Sequence, residues 1–321
     1  DDQSTFVTYG NLGAGATVTV NGGDDDYAHV NFKNYGSLQG LVTAQDYSSS
    51  VNEAGASLNN LAVTGNALFE NDGAINGWTS IAANGTLINN ADGTLGATVT
   101  VGGHQGTTDQ STFINYGDNP DTAVEVDGGL NTGLVANTNT QVNFRNYVTT
   151  GDVTGNDYSY PVNGSLLDTT ATVGDVELND YAKFDNYGVG GIVTGNDHSL
   201  FTNETTGVIE SFSGDGGFIN DGTVQGNVYD NGGTQYNSGT VGSVTVVNSG
   251  QFYNNGLGGT PSGTVTGTVT VGTSGDTSDQ SVFYNTVAGD KGEGDVTVYG
   301  GGTFENGAVT IGANGNPLVD V

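Results

Sequence analysis

Phe184-Asp185-Asn186, Phe201-Thr202-Asn203, Phe218-Ile219-Asn220, Gln235-Tyr236-Asn237 and Phe252-Tyr253-Asn254 stand seventeen residues apart, five times in succession. Two residues beyond each Asn come Gly188, Thr205, Gly222, Gly239 and Gly256, so the unit reads Phe-x-Asn-x-Gly. A fixed period near this length, returning one aromatic and one amide in phase, is what a stacked coil produces when each turn adds one layer. Ten of the twelve Phe residues have Asn two positions later, whereas 37 Asn in 321 residues would give about one or two by unrelated placement. Positions i and i+2 of a strand face the same side. We read Phe as the last core position of a strand and Asn as the turn after it. Stacking then makes an aromatic ladder and an amide ladder, with Gly supplying the positive φ of a tight corner. The ladder residues are Phe184, Asn186, Phe201, Asn203, Phe218, Asn220, Asn237, Phe252 and Asn254.

A second block surrounds the first. Thr98 to Phe113 and Thr268 to Phe283 agree at ten of sixteen positions, including Asp109-Gln110-Ser111 against Asp279-Gln280-Ser281. Thr17-Val18-Thr19-Val20 opens a related block, with Gly22-Gly23, an acidic run Asp24-Asp25-Asp26 and then Phe32. Alternating Thr and Val reads as a short strand. Asp2-Gln3-Ser4-Thr5-Phe6 is the tail of this block, and Val309-Thr310-Ile311-Gly312 resembles its front. No apolar pattern of helical period occurs, so the fold expected is an all-β parallel solenoid with rungs of about 17–22 residues and essentially no helix. Residues 1–321 are expected to form one rod, with a loop leaving it at 118–143, where the rung lengthens. Natural solenoids cover their terminal rungs. No amphipathic cap is visible at either end, which points to missing flanks or to pairing with other copies.

Composition narrows the function. Thirty-five acidic residues against four basic ones give a net charge of −31. That balance argues against nucleic acid and anionic membrane, which need clustered Lys or Arg, and suits divalent cations. No apolar run approaches the roughly 20 residues that span a bilayer. Without Cys, neither disulfides nor thiol chemistry contribute. Either a removed export signal or an excised fragment accounts for a start at Asp1.

Ca²⁺ takes about six to eight oxygens, and the acidic turns offer them: Asp24, Asp25, Asp26, Asp109, Asp276 and Asp279 are the candidate metal ligands, the first three foremost. The alternative is a solvated acidic loop, since neither an EF-hand loop nor the glycine-rich nonapeptide is present. His29, His104 and His198 have no metal spacing. Catalysis is not expected. A lyase acting on acidic sugars needs cations, and Lys33, Arg145, Lys183 and Lys291 are all there are. A hydrolase needs two carboxylates at a defined separation, and acid abundance alone does not specify that. Tyr9, Tyr35, Tyr116, Tyr147 and Tyr187 share one offset from the repeat, which reads as a stack rather than a sugar-binding face.

The recurrent Phe-x-Asn-x-Gly turns, the Thr-Val strands, the missing Cys and the acidity together resemble secreted bacterial parallel β-helix proteins of the autotransporter passenger and filamentous-haemagglutinin type. That resemblance implies export to the cell surface and a role as filament, matrix or adhesin. The expected function is an extracellular structural protein that stacks head to tail, with Ca²⁺ as its candidate cofactor and itself as partner. The alternative is a surface adhesin binding carbohydrate or another cell.

Overall fold

A computed structural model describes residues 4–23, 31–103, 109–128, 143–255, 263–285, 296–306 and 309–312. The chain divides into two compact units, one of residues 1–164 with 170–174, the other of 165–169 with 175–321. No helix occurs among the described residues.

Each unit is a parallel β-solenoid whose rungs contribute one segment to a first sheet and one or two to a second. In the first unit, one sheet stacks Thr5–Thr8, Asn31–Asn34, Ser49–Asn52, Leu68–Asn71, Thr86–Asn89, Thr112–Asn115, Asn143–Asn146 and Tyr160–Asn163, every pair parallel. Its second sheet runs from Thr17–Asn21 through Ser37–Gln45, Ser57–Val63, Thr79–Ile81, Val99–Gly102 and Val124–Asp127 to Val153–Asn156. In the second unit the first sheet stacks Lys183–Asn186, Leu200–Asn203, Gly217–Asn220, Thr234–Asn237, Gln251–Tyr253, Val282–Asn285 and Thr303–Asn306. Opposite lie Val176–Leu178, Val189–Gly195, Val208–Gly214, Thr223–Asn231, Thr240–Val247, Val269–Val271 and Val296–Val298.

Alternation along each strand decides what goes inside. The Phe register of the second unit is Phe184, Phe201, Phe218, Gln235, Phe252, Phe283 and Phe304. Phe184 and Phe201 stack with centroids 5.3 Å apart, and Phe252 and Phe283 at 5.2 Å. Val193, Val228, Val244 and their column mates close the core from the other sheet.

Two expectations about the repeat are corrected. Asn is not the turn: Asn186, Asn203, Asn220 and Asn237 are the final strand residues, wholly buried, with side chains on the same inner face as Phe. The amide ladder itself is present. In the second unit Nδ2 donates to Oδ1 of the next rung from Asn186 to Asn203 (2.9 Å), then to Asn220 (2.8 Å), Asn237 (2.7 Å) and Asn254 (2.6 Å). The first unit repeats it from Asn34 through Asn52, Asn71, Asn89, Asn115 and Asn146 to Asn163. The second hydrogen of most of these amides serves turn carbonyls, as that of Asn203 does for Gly207 and Thr223. An inward Asn thus adds a donor to carbonyls of a corner that faces the core, beside the backbone N–H of the next rung, as Thr223 N–H gives Gly207 at 2.9 Å.

The repeat glycine does not supply positive φ either. Gly222 and Gly239 are absent from the left-handed region, yet a Cβ on either would overlap the carbonyl oxygen of the preceding rung's turn. Close stacking, not handedness, requires Gly there. The left-handed residues sit at the opposite corner, as Asp46, Asp157, Asp180 and Asp197, in keeping with the tolerance of Asp and Asn for that conformation.

Two further expectations change. Residues 118–128 do not leave the solenoid: Asn119 bridges Thr150, and Val124–Asp127 lies in register between Val99–Gly102 and Val153–Asn156. The rest of that insertion, 129–142, is outside the described residues. Val309–Gly312 does not extend the Thr-Val column. It folds back antiparallel on Thr303–Asn306, covering the edge of the first sheet.

Candidate functional site

The expected metal ligands Asp109 and Asp279 are side chains that tie one rung to the one before. Asp109 accepts from the backbone N–H groups of Ala83 and Asn84 at 3.3 and 3.1 Å, and from the N–H and hydroxyl of Ser111 at 2.9 and 2.5 Å. Asp279 does the same at Asn248 and Ser249 (3.3 and 3.0 Å) and at Ser281 (3.1 and 2.5 Å), with Thr273 Oγ1 adding 2.9 Å. The gripped pairs share one geometry. Ala83 and Asn84 have φ of 50° and 69°, Asn248 and Ser249 of 55° and 68°, and each turn presents both of its N–H groups to one carboxylate. The recurring Asp-Gln-Ser is therefore a hook: carboxylate into the socket of the preceding rung, Ser holding the carboxylate.

Both hooks are buried. At Asp279 burial works against the charge, but the Ser281 hydroxyl, the Ser249 N–H, the Thr273 hydroxyl and the Ser281 N–H outweigh it and hold the carboxyl below its ordinary range. A depressed folded pKa gives stability that is present above the ordinary aspartate value of about 4 and is lost as pH falls through the folded value. Asp279→Asn is thus expected to cost about 1–3 kcal/mol at neutral pH, with the gap to the native chain closing under acid; urea midpoints at neutral and acidic pH measure both.

Asp276 is exposed, and its Oδ1 accepts from the N–H and hydroxyl of Ser278 at 2.9 and 2.6 Å, which lowers its pKa. Asp24, Asp25 and Asp26 lie outside the described residues. Among the described residues, no group of three or more His, Asp or Glu is placed to hold a metal ion. His198 stacks on Tyr181 at 4.9 Å. Lys33 reaches Glu53 at 4.0 Å across one rung.

The outer faces carry ladders of their own. Tyr9 stacks on Tyr35 and Tyr116 on Tyr147, each pair at 4.9 Å. A second stack, Tyr236, Tyr253 and Tyr284, runs along the outer side of the Phe-Asn sheet at 5.1 and 4.6 Å. Because these rings lie face to face along the stacking direction, their faces contact one another and their edges meet solvent, unlike a platform for sugar rings. Glu204 sits one rung from Asp185 and Asp221, and partial burial followed by those two charges raises its pKa.

Asp127, which the sequence reads as one of the acidic residues of the insertion, is instead a buried strand residue and accepts from Asn156 Nδ2 at 2.9 Å. One polar pair escaped the sequence reading. Asp230 is wholly buried beside Gln235. The one sequence signal for that pair was Gln235 itself, the exception in a column of Phe. No protein-family model, curated protein or solved structure matches this chain.

Proposed function

We propose that the protein is an extracellular structural protein whose copies stack head to tail into a filament or surface matrix. One observation carries this: the hook of one rung grips a left-handed turn of the rung before it, at Asp109 and again at Asp279. The sequence holds a third hook and a third socket. Asp2-Gln3-Ser4-Thr5-Phe6 repeats Asp109-Gln110-Ser111-Thr112-Phe113 residue for residue. Ile311-Gly312-Ala313-Asn314-Gly315 matches the socket segment Ile81-Ala82-Ala83-Asn84-Gly85 at four of five positions. Asp2 and residues 313–315 lie outside the described residues, so the match rests on sequence.

Each internal hook follows its socket along the chain, whereas the third pair comes in the reverse order. One copy laid behind another puts socket before hook. Such a contact is heterologous and does not close, which is the geometry of a fibre. Parallel rungs, open to further strands at an edge, add backbone hydrogen bonds. The Val309–Gly312 strand covers one such edge, so stacking in this register requires it to leave Thr303–Asn306. The resemblance to secreted β-helix proteins and the net charge of −31 support a surface location. Ca²⁺ enters through Asp24, Asp25 and Asp26.

The test is electron microscopy and sedimentation of the purified chain with and without Ca²⁺. Filaments that lengthen with concentration, and that Asp2→Asn shortens, are the expected result. A strictly monomeric chain at high concentration in both conditions overturns the proposal.

A further inference from the structure

Asp230 and Gln235 are both wholly buried in the second unit. Asp230 fills a core position of the Val sheet, in register with Gly214 before it and Val246 after it. Gln235 fills the aromatic slot between Phe218 and Phe252. Gln235 Nε2 donates to the Gly216 carbonyl at 2.9 Å and to Asp230 Oδ1 at 3.4 Å, and Gly233 N–H donates to the same Oδ1 at 2.8 Å. Asp230 Oδ2 and Gln235 Oε1 are then left buried with no hydrogen-bond partner.

Both orphaned atoms are acceptors as long as Asp230 is ionised. An ionised carboxylate in a core needs a cation or a full set of donors. No Lys or Arg occurs between Lys183 and Lys291. The titratable side chains on the elements packed around the pair are Glu210 and Asp215 in and after the preceding strand, Tyr229 beside Asp230, Tyr236 and Tyr253 on the outer face, and Asp279. Asp279 is spent on the Asn248–Ser249 turn. Just after that turn, a Cβ on Gly250 would come within 2.6 Å of Asp230 Oδ2 and 2.7 Å of its Oδ1. The next rung therefore closes directly over the carboxyl group. What turns an orphaned carboxylate oxygen into a donor, in a place with no room for a side chain, is a proton.

We propose that Asp230 is a neutral carboxylic acid in the folded protein, with the proton on Oδ2, and that the Asp230–Gln235 pair is a pH-sensitive latch on the surrounding rungs. Burial lifts this carboxyl to about 7, against the opposing hydrogen bonds from Gln235 and Gly233. The sign follows from linkage. The folded chain keeps a proton that the unfolded chain has released, so the stability is complete below the ordinary aspartate pKa and drains away as pH rises through 7. Ionisation leaves a bare charge in the core and loosens the strands Thr223–Asn231 and Thr234–Asn237. The latch is independent of self-assembly.

The experiment compares denaturant unfolding of the native chain, Asp230→Asn, and the double variant Asp230→Val with Gln235→Phe, from about pH 5 to pH 9. Isotope-edited infrared spectra of the native chain report the carboxylic-acid carbonyl over the same range. The native unfolding constant is expected to gain up to about tenfold per pH unit relative to Asp230→Asn below the folded pKa, and the double variant to lack that slope. The acid carbonyl band should vanish with a midpoint near 7 and be missing from Asp230→Asn. Parallel pH profiles for native and Asp230→Asn, or no protonated carboxyl band at pH near 5 beyond that of the variant, overturns the proposal. If Asp230→Asn does not fold, the native infrared titration together with the double variant decides it: a carboxyl difference band between those two that stays flat across neutral pH overturns the latch.

Discussion

Asn220→Ala is expected to lower the stability of the second unit by about 2–4 kcal/mol, as one buried acceptor orphaned at about 1–3 kcal/mol together with the weakened bonding of two turn carbonyls at about 0.5–1.5 kcal/mol each, with partial relaxation. Asn220 Oδ1 accepts from Asn203 at 2.8 Å, while its Nδ2 donates to Asn237 at 2.7 Å and to the carbonyls of Gly222 and Thr240 at 3.3 and 3.2 Å. Asn203 keeps its bonds to Gly207 and Thr223. Asn237 Oδ1 does not regain its donor at this buried corner, and the two turn carbonyls lose one donor each, Gly222 O keeping the Thr240 N–H at 2.8 Å. The near-isosteric Asn220→Asp should be at least as damaging at neutral pH, since it points a carboxylate at the Asn237 oxygen. Thr202→Ala, on the outer side of the neighbouring strand, should stay within about 0.5 kcal/mol. Urea midpoints rank the three, and hydrogen exchange shows whether the loss is confined to neighbouring rungs, as a stack with nearest-neighbour coupling requires. Equal effects from Asn220→Ala and Thr202→Ala would remove the ladder from the account of stability.

Gly239→Ala is the second large effect, and its sign is diagnostic. Where the backbone tolerates a side chain, Gly→Ala stabilises by about 0.4–1 kcal/mol through the unfolded chain. Gly239 does not have positive φ, so backbone preference alone predicts that gain. The Cβ would instead overlap the Gly222 carbonyl oxygen, with Asp221 backbone carbon at 2.7 Å. Neither neighbour is a flexible side-chain tip. Rungs held about 4.8 Å apart by their ladders cannot spread at one corner without breaking the Asn bonds there, so a loss above about 3 kcal/mol is expected, comparable to severe core overpacking. Gly15→Ala, where nothing stands within 4 Å, should be neutral or mildly stabilising. A stabilised Gly239→Ala would show that the corner is looser than its geometry.

Periodicity made the solenoid, the Phe stack and the amide ladder legible, because in-phase residues in a coil must meet. Orientation was less legible. Phe and Asn two apart had to share a face if both lay in the strand, and placing Asn in the turn avoided burying an amide; the structure buries it because the next Asn and the corner's own carbonyls accept its N–H groups. The hooks were visible as Asp-Gln-Ser but their partners were not. Asp109 meets Asn84 across 25 residues and Asp279 meets Ser249 across 30, and only the rung register brings those segments together. Asp230 and Gln235 lie five residues apart in sequence but in different sheets, so spacing gave no hint that they touch. Val309–Gly312 has the composition of the Thr-Val column and pairs elsewhere, since four residues of alternating pattern fit either edge.

The amide ladder has an evolutionary side. Each Asn donates an N–H to the same atom of the same residue type seventeen residues on, from Asn186 to Asn254. The surface a rung presents forward is chemically the surface it receives from behind. A duplication or deletion of one whole turn in this region therefore creates no new interface to optimise. Length becomes a quantity that a gene can change in single recombination steps, while a change of one or two residues within a turn is penalised at once by the lost phase.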